Sequence, residues 1–399
     1  SKIMSNIRIA ELDFDLIKQN LKTYLQGQAE FTDYDFEGSG LSVLLDILAY
    51  NTHYNAYLAN MLANEMFLDS AVKRQSAVSL AKHLGYTPRS SRAATASLSL
   101  VVNNPTNNPT TLTLDEYTPF NTTIGGTTYT FLNTESVTIR PVNGVYTFSD
   151  VKVYEGEYLN FNYVVETGTP EEKFQIPNDT VDTTTVRVTV QNSSSDTTAE
   201  VYTLASDIAS LDSTSLVYFL QEGTNGRYEI YFGDGVLGKN LTVGNIVRIE
   251  YLSTDGSAAN VSGNITQTFT TSTIIGGSSD IDVTVLSNSV GGADKEGITS
   301  IKFNAPLAGA AQNRAVTAAD YEALIKANFP EAEAVSVWGG EENDPPIYGK
   351  VVISLKPYDG YFISATSKER LKNLILQNKK VLAVQPYFID PEYFYVKLS

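Results

Sequence analysis

The sequence predicts a multidomain α+β protein: an N-terminal helical bundle segment, a β-rich middle region and a small two-layer α+β domain at the C-terminal end. Three observations carry this. The chain has 399 residues, 42% of them hydrophobic, and domains hold roughly 100–200 residues each. From Ala96 the composition shifts to Thr, Val, Asn and Ser. After Gly297 helical and extended patterns mix again. The boundaries are therefore set at residues 1–95, 96–296 and 297–399.

In Phe14–Gln26, Ile17, Leu21 and Leu25 recur at four-residue spacing. Asp13 and Asp15 stand near the start, where carboxylates suit the helix dipole. A second helix is predicted from Ser39 to about Leu68. Its apolar face is wide, with Leu41, Leu44, Leu45, Leu48, Leu58, Met61, Leu62 and Met66. Only a thin polar stripe remains, made of Ser42, Asp46, His53, Asn60 and Asn64. A helix apolar over most of its circumference needs neighbours on several sides. Ile17, Leu21, Leu25, Leu41, Leu44, Leu45 and Leu48 are therefore the candidate partner interface. A third helix is predicted from Asp69 or Ser70 to Gly85, with Pro88 just beyond.

Strands dominate the middle, as short alternating segments bounded by Gly, Pro and Asn. Arg227–Phe232 puts Tyr228, Ile230 and Phe232 on one face, and Ile246–Leu252 does the same with Val247, Ile249 and Tyr251. The turn-rich link between them predicts a long-looped strand pair. No fixed-period repeat is present, which argues against a solenoid. In the last region a helix is predicted over Thr317–Phe329, with Thr317 as N-cap and Asp320 completing a capping box. Strands follow at Glu333–Trp338 and Lys350–Lys356, a helix at Ser367–Asn378 and an extended segment at Val384–Leu398. That order suits a two-layer domain.

The formal net charge is −17, unevenly spread. Residues 1–95 carry 10 acids and 9 bases, residues 96–295 carry 23 and 8, and residues 296–399 carry 12 and 11. An acidic middle without a basic stripe on either flank opposes nucleic-acid binding. The absence of cysteine excludes disulfide frameworks, cysteine zinc sites and thiol nucleophiles. The first residues lack the apolar core of a signal peptide, and no run approaches a membrane span. A soluble chain without a cleaved leader is expected.

Two motifs imitate ligand sites. Gly233-Asp234-Gly235-Val236-Leu237-Gly238-Lys239-Asn240 has the glycines and lysine of a phosphate loop. It ends in Asn where a hydroxyl is needed, and a β-branched strand follows where a helix N-terminus is needed. The predicted reading is a Gly-rich strand connection. Asp33-Tyr34-Asp35-Phe36-Glu37-Gly38 resembles half a calcium loop, but its twelfth position is Leu44 rather than Glu. It reads better as a carboxylate-rich turn before the Ser39 helix. Asp280 and Asp282 read as strand-edge charge. His53 and His83 form no zinc motif, and no GxSxG elbow is present. No catalytic, cofactor or metal residue is assigned, and the chain is expected not to be an enzyme.

Several blocks together carry a family resemblance. Phe232-Gly233-Asp234-Gly235 with Gly238, and Arg314-Ala315-Val316-Thr317-Ala318-Ala319-Asp320-Tyr321-Glu322, resemble baseplate J-type wedge proteins of contractile-tailed bacteriophages. Trp338-Gly339-Gly340-Glu341 and Asp390-Pro391-Glu392-Tyr393 extend that likeness. Asp33–Ser39 and Leu44-Leu45-Asp46-Ile47-Leu48-Ala49-Tyr50-Asn51 resemble the T-even-type wedge proteins in particular. Those run longer, so truncation at the C-terminal end is expected. The resemblance implies a structural subunit of the virion's tail baseplate, assembled in the host cytoplasm. It implies N-terminal helices bundled with other wedge proteins, including the largest wedge subunit. It further implies self-association, two copies per wedge, into a ring around the hub whose rearrangement triggers sheath contraction. The competing reading is a receptor- or carbohydrate-binding tail adhesin, which the Tyr-rich β region would suit.

Overall fold

The computed structural model describes residues 13–28, 39–205, 211–223, 225–261, 267–311, 315, 317–329, 332–357, 362–363, 367–369, 371–372 and 385–393. The chain divides into two compact units, residues 1–86 with 297–306, and residues 87–296 with 307–399.

The first unit holds α1 (Phe14–Gln26), α2 (Gly40–Glu65), α3 (Arg74–His83) and the first part of α4 (Ile298–Ala311). Each start has a local cause. Asp13 Oδ1 accepts the Leu16 N–H at 3.1 Å, and Ser39 Oγ accepts the Ser42 N–H at 3.0 Å, so both side chains satisfy donors the helices leave free. The third helix begins later than the sequence predicts. The Glu65 carboxylate accepts the Val72 and Lys73 N–H groups at 2.9 and 3.2 Å, and the Ser70 hydroxyl donates to the Asn64 carbonyl at 2.8 Å. Those bonds hold the intervening residues as turns. The helix stops where predicted: Gly85 is left-handed at φ 73° and the Tyr86 N–H returns to the Ala81 carbonyl at 3.0 Å. Ala71, Ala77, Val78 and Ala81 form a small core with Ile301 and Ala305 of α4. The sequence does not announce α4, because its apolar residues follow no single helical face and Pro306 lies inside it. Residues 297–306, grouped in sequence with the C-terminal region, belong to the helical unit.

The second unit begins with β1 (Thr95–Val102), β2 (Leu112–Leu114), β3 (Pro119–Ile124), β4 (Thr127–Leu132), β5 (Val137–Ile139) and β6 (Tyr146–Glu155). Then come β7 (Glu157–Val164), β8 (Phe174–Gln175), β9 (Val181–Gln191), β10 (Ala199–Leu204), β11 (Val217–Glu222), β12 (Tyr228–Phe232), β13 (Ile246–Ser253) and β14 (Ile281–Val290). A five-stranded sheet has the order β14-β1-β6-β4-β3, with β2 and β5 as a separate pair. Alternate residues of β1, from Ala96 to Val102, are buried. They share a core with Phe120, Phe131 and Phe148, and Phe269 meets Phe131 edge-on at 5.1 Å. A seven-stranded sheet, β7-β13-β9-β10-β11-β12-β8, is inserted into the chain between β6 and β14. Its core holds Val188, Tyr218, Ile230, Val247 and Tyr251, and Phe232 lies edge-on to Tyr202 at 5.2 Å.

The predicted faces of β12 and β13 are right and their predicted pairing is not. The strands share a sheet, but β12 pairs with β11 and β8, and β13 with β7 and β9. The link closes on itself and anchors on the segment before β11, with Gly238 N–H on the Asp212 carbonyl at 2.8 Å and Lys239 N–H on Ser215 at 2.9 Å. It thereby leads the chain across the sheet rather than back along β12.

The C-terminal part packs α5 (Ala318–Asn328) on β15 (Ala332–Gly339), β16 (Lys350–Pro357) and β17 (Gln385–Ile389). β15 is antiparallel to β16, and β17 is parallel to it. Tyr321, Ile325 and Phe329 share a core with Val335, Ile353, Leu355 and Leu371. The capping box forms as predicted, with the Asp320 N–H on Thr317 Oγ1 at 3.2 Å and the Thr317 N–H on Asp320 Oδ2 at 2.8 Å. Of the helix predicted at 367–378, residues 367–369 and 371–372 are helical; Leu374 and Ile375 lie outside the described residues. Of the predicted extended segment, 385–389 form β17, and 394–398 likewise lie outside. The architecture is thus the expected one: N-terminal helices, a β-rich middle and a small α+β domain.

Candidate partner interface on the N-terminal helices

α1 packs along α2, and a Lys18–Asp46 ion pair of 2.5 Å joins them. The buried residues of α2 are Ser42, Leu45, Ala49, Ala56 and Asn60. Their three-, four- and seven-residue spacings define one stripe. Small side chains there allow close approach.

This divides the seven candidate residues. Ile17 and Leu45 are buried within the chain. Leu21, Leu25 and Leu41 are half-buried. Leu44 and Leu48 point outward and are 56% and 51% exposed. The outward pair has company the sequence argument did not assign to the interface. Val43, Ile47, Tyr50, Tyr54, Tyr57, Leu58, Leu62 and Met66 are exposed along the same helix. At about 100° per residue these positions occupy the half of the helix opposite the buried stripe. The signal was present in the sequence: Leu58, Leu62 and Met66 stood on the predicted apolar face, and a tyrosine adds an apolar body behind its polar tip. Exposed apolar side chains gathered on one face in this way are where other proteins meet partners.

Three polar groups along α2 are engaged locally. Thr52 Oγ1 donates to the Leu48 carbonyl at 2.8 Å, Asn55 Nδ2 to Asn51 Oδ1 at 3.0 Å, and Asn64 Nδ2 to the Asn60 carbonyl at 2.7 Å. Glu65 closes the α2–α3 joint. Burial pushes its carboxyl up, but hydrogen bonds from Ser76 and the Val72 and Lys73 amides, with the Lys73 charge, outweigh this and hold it below the usual range.

The phosphate-loop-like motif has a structural explanation. Asp234 Oδ1 accepts the Val236 and Leu237 N–H groups at 2.9 and 2.8 Å. The amides that a phosphate loop would aim at an anion are thus turned onto its own carboxylate. The motif's lysine, Lys239, pairs with Glu200 at 2.5 Å. Asp282 Oδ2 accepts Asn103 Nδ2 at 2.9 Å. The Asp33–Gly38 run lies outside the described residues. Among the described residues no group of three His, Asp or Glu side chains is arranged to hold a metal, and no helix is long and apolar enough to cross a membrane.

Comparison with known proteins matches three segments of the chain to three family models. Residues 13–86 match the helical domain of gp6-like baseplate wedge proteins. Residues 165–255 match the third domain of bacteriophage baseplate wedge protein gp6, and residues 317–389 its C-terminal domain I. Baseplate wedge protein gp6 of Enterobacteria phage T4 is 30% identical over 409 aligned residues, covering 97% of this chain. The chain spans 60% of that relative's length. A solved chain of the anti-feeding prophage baseplate aligns over 96% of this chain and 80% of its own, with 13% identity and a TM-score of 0.32.

Proposed function

We propose that this chain, which carries baseplate wedge domains of the gp6 type, is a non-enzymatic structural subunit of a contractile phage tail baseplate. It sits in the virion after assembly in the host cytoplasm, closes a ring around the hub with two copies per wedge, and relays the rearrangement that triggers sheath contraction. Its N-terminal helices bind other wedge proteins, including the largest wedge subunit. The wider J-type kinship is part of the same proposal and rests on the Phe232–Gly235 and Arg314–Glu322 blocks. The observation that carries the binding role is the outward face of α2, from Val43 to Met66, on a segment matched to the family's helical domain. Covering one such leucine is worth about 1.5–3 kcal/mol. Several of them together outweigh the cost of ordering an assembled bundle.

The test is a double substitution, Leu44→Asp with Leu48→Asp. Neither side chain is part of a buried core, so the second unit's sheets stay folded. The variant is expected to lose co-purification with wedge partners. Normal co-purification with intact stoichiometry overturns the helical interface.

A further inference from the structure

The inserted sheet leaves and returns at one point. Residues 157–253 depart from β6 through the single residue Gly156 and come back through Thr254 and Asp255. The two ends lie side by side, because Glu157 pairs with Ser253 in the β7–β13 ladder. Two adjacent strands joined this way make an open hinge unless something else ties the parts together. Yet residues 87–296 form part of one compact unit rather than two.

Two buried carboxylates sit across this joint. Glu155, the last residue of β6, is 3% exposed. Its Oε2 accepts the Thr254 hydroxyl at 2.5 Å and the Asp255 N–H at 3.1 Å, so the first sheet holds the exit from the second. Asp182, on β9 of the inserted sheet, is 1% exposed. Its Oδ2 accepts the Ala93 N–H at 2.8 Å, so the second sheet holds the entry to β1. Its Oδ1 takes the Thr184 amide and hydroxyl at 2.9 and 2.6 Å. The two carboxylates therefore reach across the joint in opposite directions. Around them, Ser90 Oγ and Thr183 Oγ1 lie 2.8 Å apart. The backbone is equally close: a Cβ on Gly156 would fall 2.5 Å from the Ser253 carbonyl oxygen.

Burial makes these two groups expensive as anions. Burial pushes Glu155 up against the hydrogen bonds from Thr254 and Asp255, and the neighbouring Asp255 and Asp182 charges push it further. Burial likewise pushes Asp182 up, against its bonds to Ala93 and Thr184 and the charge of Arg92. A fold keeps a buried carboxylate when backbone donors would otherwise be left unpaired. Here those donors belong to the segments that connect the sheets.

We propose that Glu155 and Asp182 form a reciprocal latch that fixes the inserted sheet on the sheet that carries it, so that the two turn as one body. Motion within the chain then occurs outside residues 87–296. The latch holds whether or not the chain sits in a baseplate.

Distance measurement between spin labels tests it on the full chain. The protein has no cysteine, so Thr128→Cys on β4 and Val201→Cys on β10, both exposed, take labels without background. One narrow distance distribution is expected in the otherwise native chain. Glu155→Ala with Asp182→Ala should broaden it about twofold or split it. A broad distribution in the native latch, or an unchanged one in the double variant, overturns the proposal. Thr254→Val guards against a variant that fails to fold, since it deletes one latch bond and, beside it, only the local bond from the Gly256 N–H. Amide exchange then gives the second reading. The Asp255 N–H should be as protected as β13 in the native chain and exchange about tenfold faster in Thr254→Val, with β13 itself unchanged. Native Asp255 exchange as fast as an open loop, or no change in the variant, overturns it equally.

Discussion

Gly233 has room for a hydrogen and nothing larger. A Cβ there would enter the Leu237 and Gly238 carbonyl groups, which are backbone and cannot swing aside. Gly233→Ala is expected to destabilise the chain by about 1–3 kcal/mol, the usual range for overpacking, measured by chemical denaturation. Lys239→Ala should cost only about 0–1 kcal/mol, because its pair with Glu200 is open to solvent at both ends. In a phosphate loop the lysine would be the essential group. Here the glycine is essential to a turn and the lysine is peripheral. Glu65 carries a pH prediction. Its folded carboxyl lies below its ordinary value, so its contribution to stability is present above the unfolded pKa and is lost as pH falls through the folded one. Glu65→Gln lacks that contribution at neutral pH already. The stability gap between native chain and variant, read from urea melts, should therefore close as pH drops below the usual glutamate range. A gap independent of pH would contradict the role given to those hydrogen bonds.

α2 separates two kinds of leucine one residue apart. Leu45 is buried within the chain and Leu44 is not. Leu45→Ala should destabilise the helical unit by about 2–5 kcal/mol, while Leu44→Ala should stay within about 0.5 kcal/mol in the free chain, both read from helical circular dichroism on melting. The sequence already said that this helix needed neighbours on several sides, but spacing alone could not say which side the chain covers itself. That choice is made by α1, through Ile17 and Lys18, and periodicity within α2 contains no record of it. The same limit explains the strands. Alternation placed Tyr228, Ile230 and Phe232 on one buried face, because a strand's faces are local. The partner of β12 was not legible, because pairing depends on the path of the 233–245 loop and its anchors at Asp212 and Ser215. The capping box of α5 was fully legible, since both of its bonds lie within four residues. α4 was not, since its polar and apolar residues are mixed around the helix and leave no period to detect.

The charge asymmetry read from the sequence coincides with the division of the chain. The middle region, with 23 acids against 8 bases over residues 96–295, lies in the unit built from sheets, whereas residues 1–95, with 10 against 9, supply most of the helical unit. The two should respond differently to solution conditions. The sheets rest on large aromatic and aliphatic cores, while the helical unit has a small core of Ala71, Ala77, Val78, Ala81, Ile301 and Ala305 and leaves one face of α2 uncovered. On heating the free chain, helical circular dichroism should be lost first and the near-ultraviolet signal of the buried tyrosines later. A partner that covers α2 binds only the folded helical unit, so it should raise the first transition, by about 2.7 kcal/mol at a hundredfold excess over Kd. Salt should act on the other one. Self-repulsion among the acids of the sheet region is screened over about 8 Å at 0.15 M, so adding salt to a low-salt sample should raise the second transition and leave the first nearly where it was. Coincident transitions, or a salt effect confined to the first, would show that the charge and the exposed face do not act on separate units.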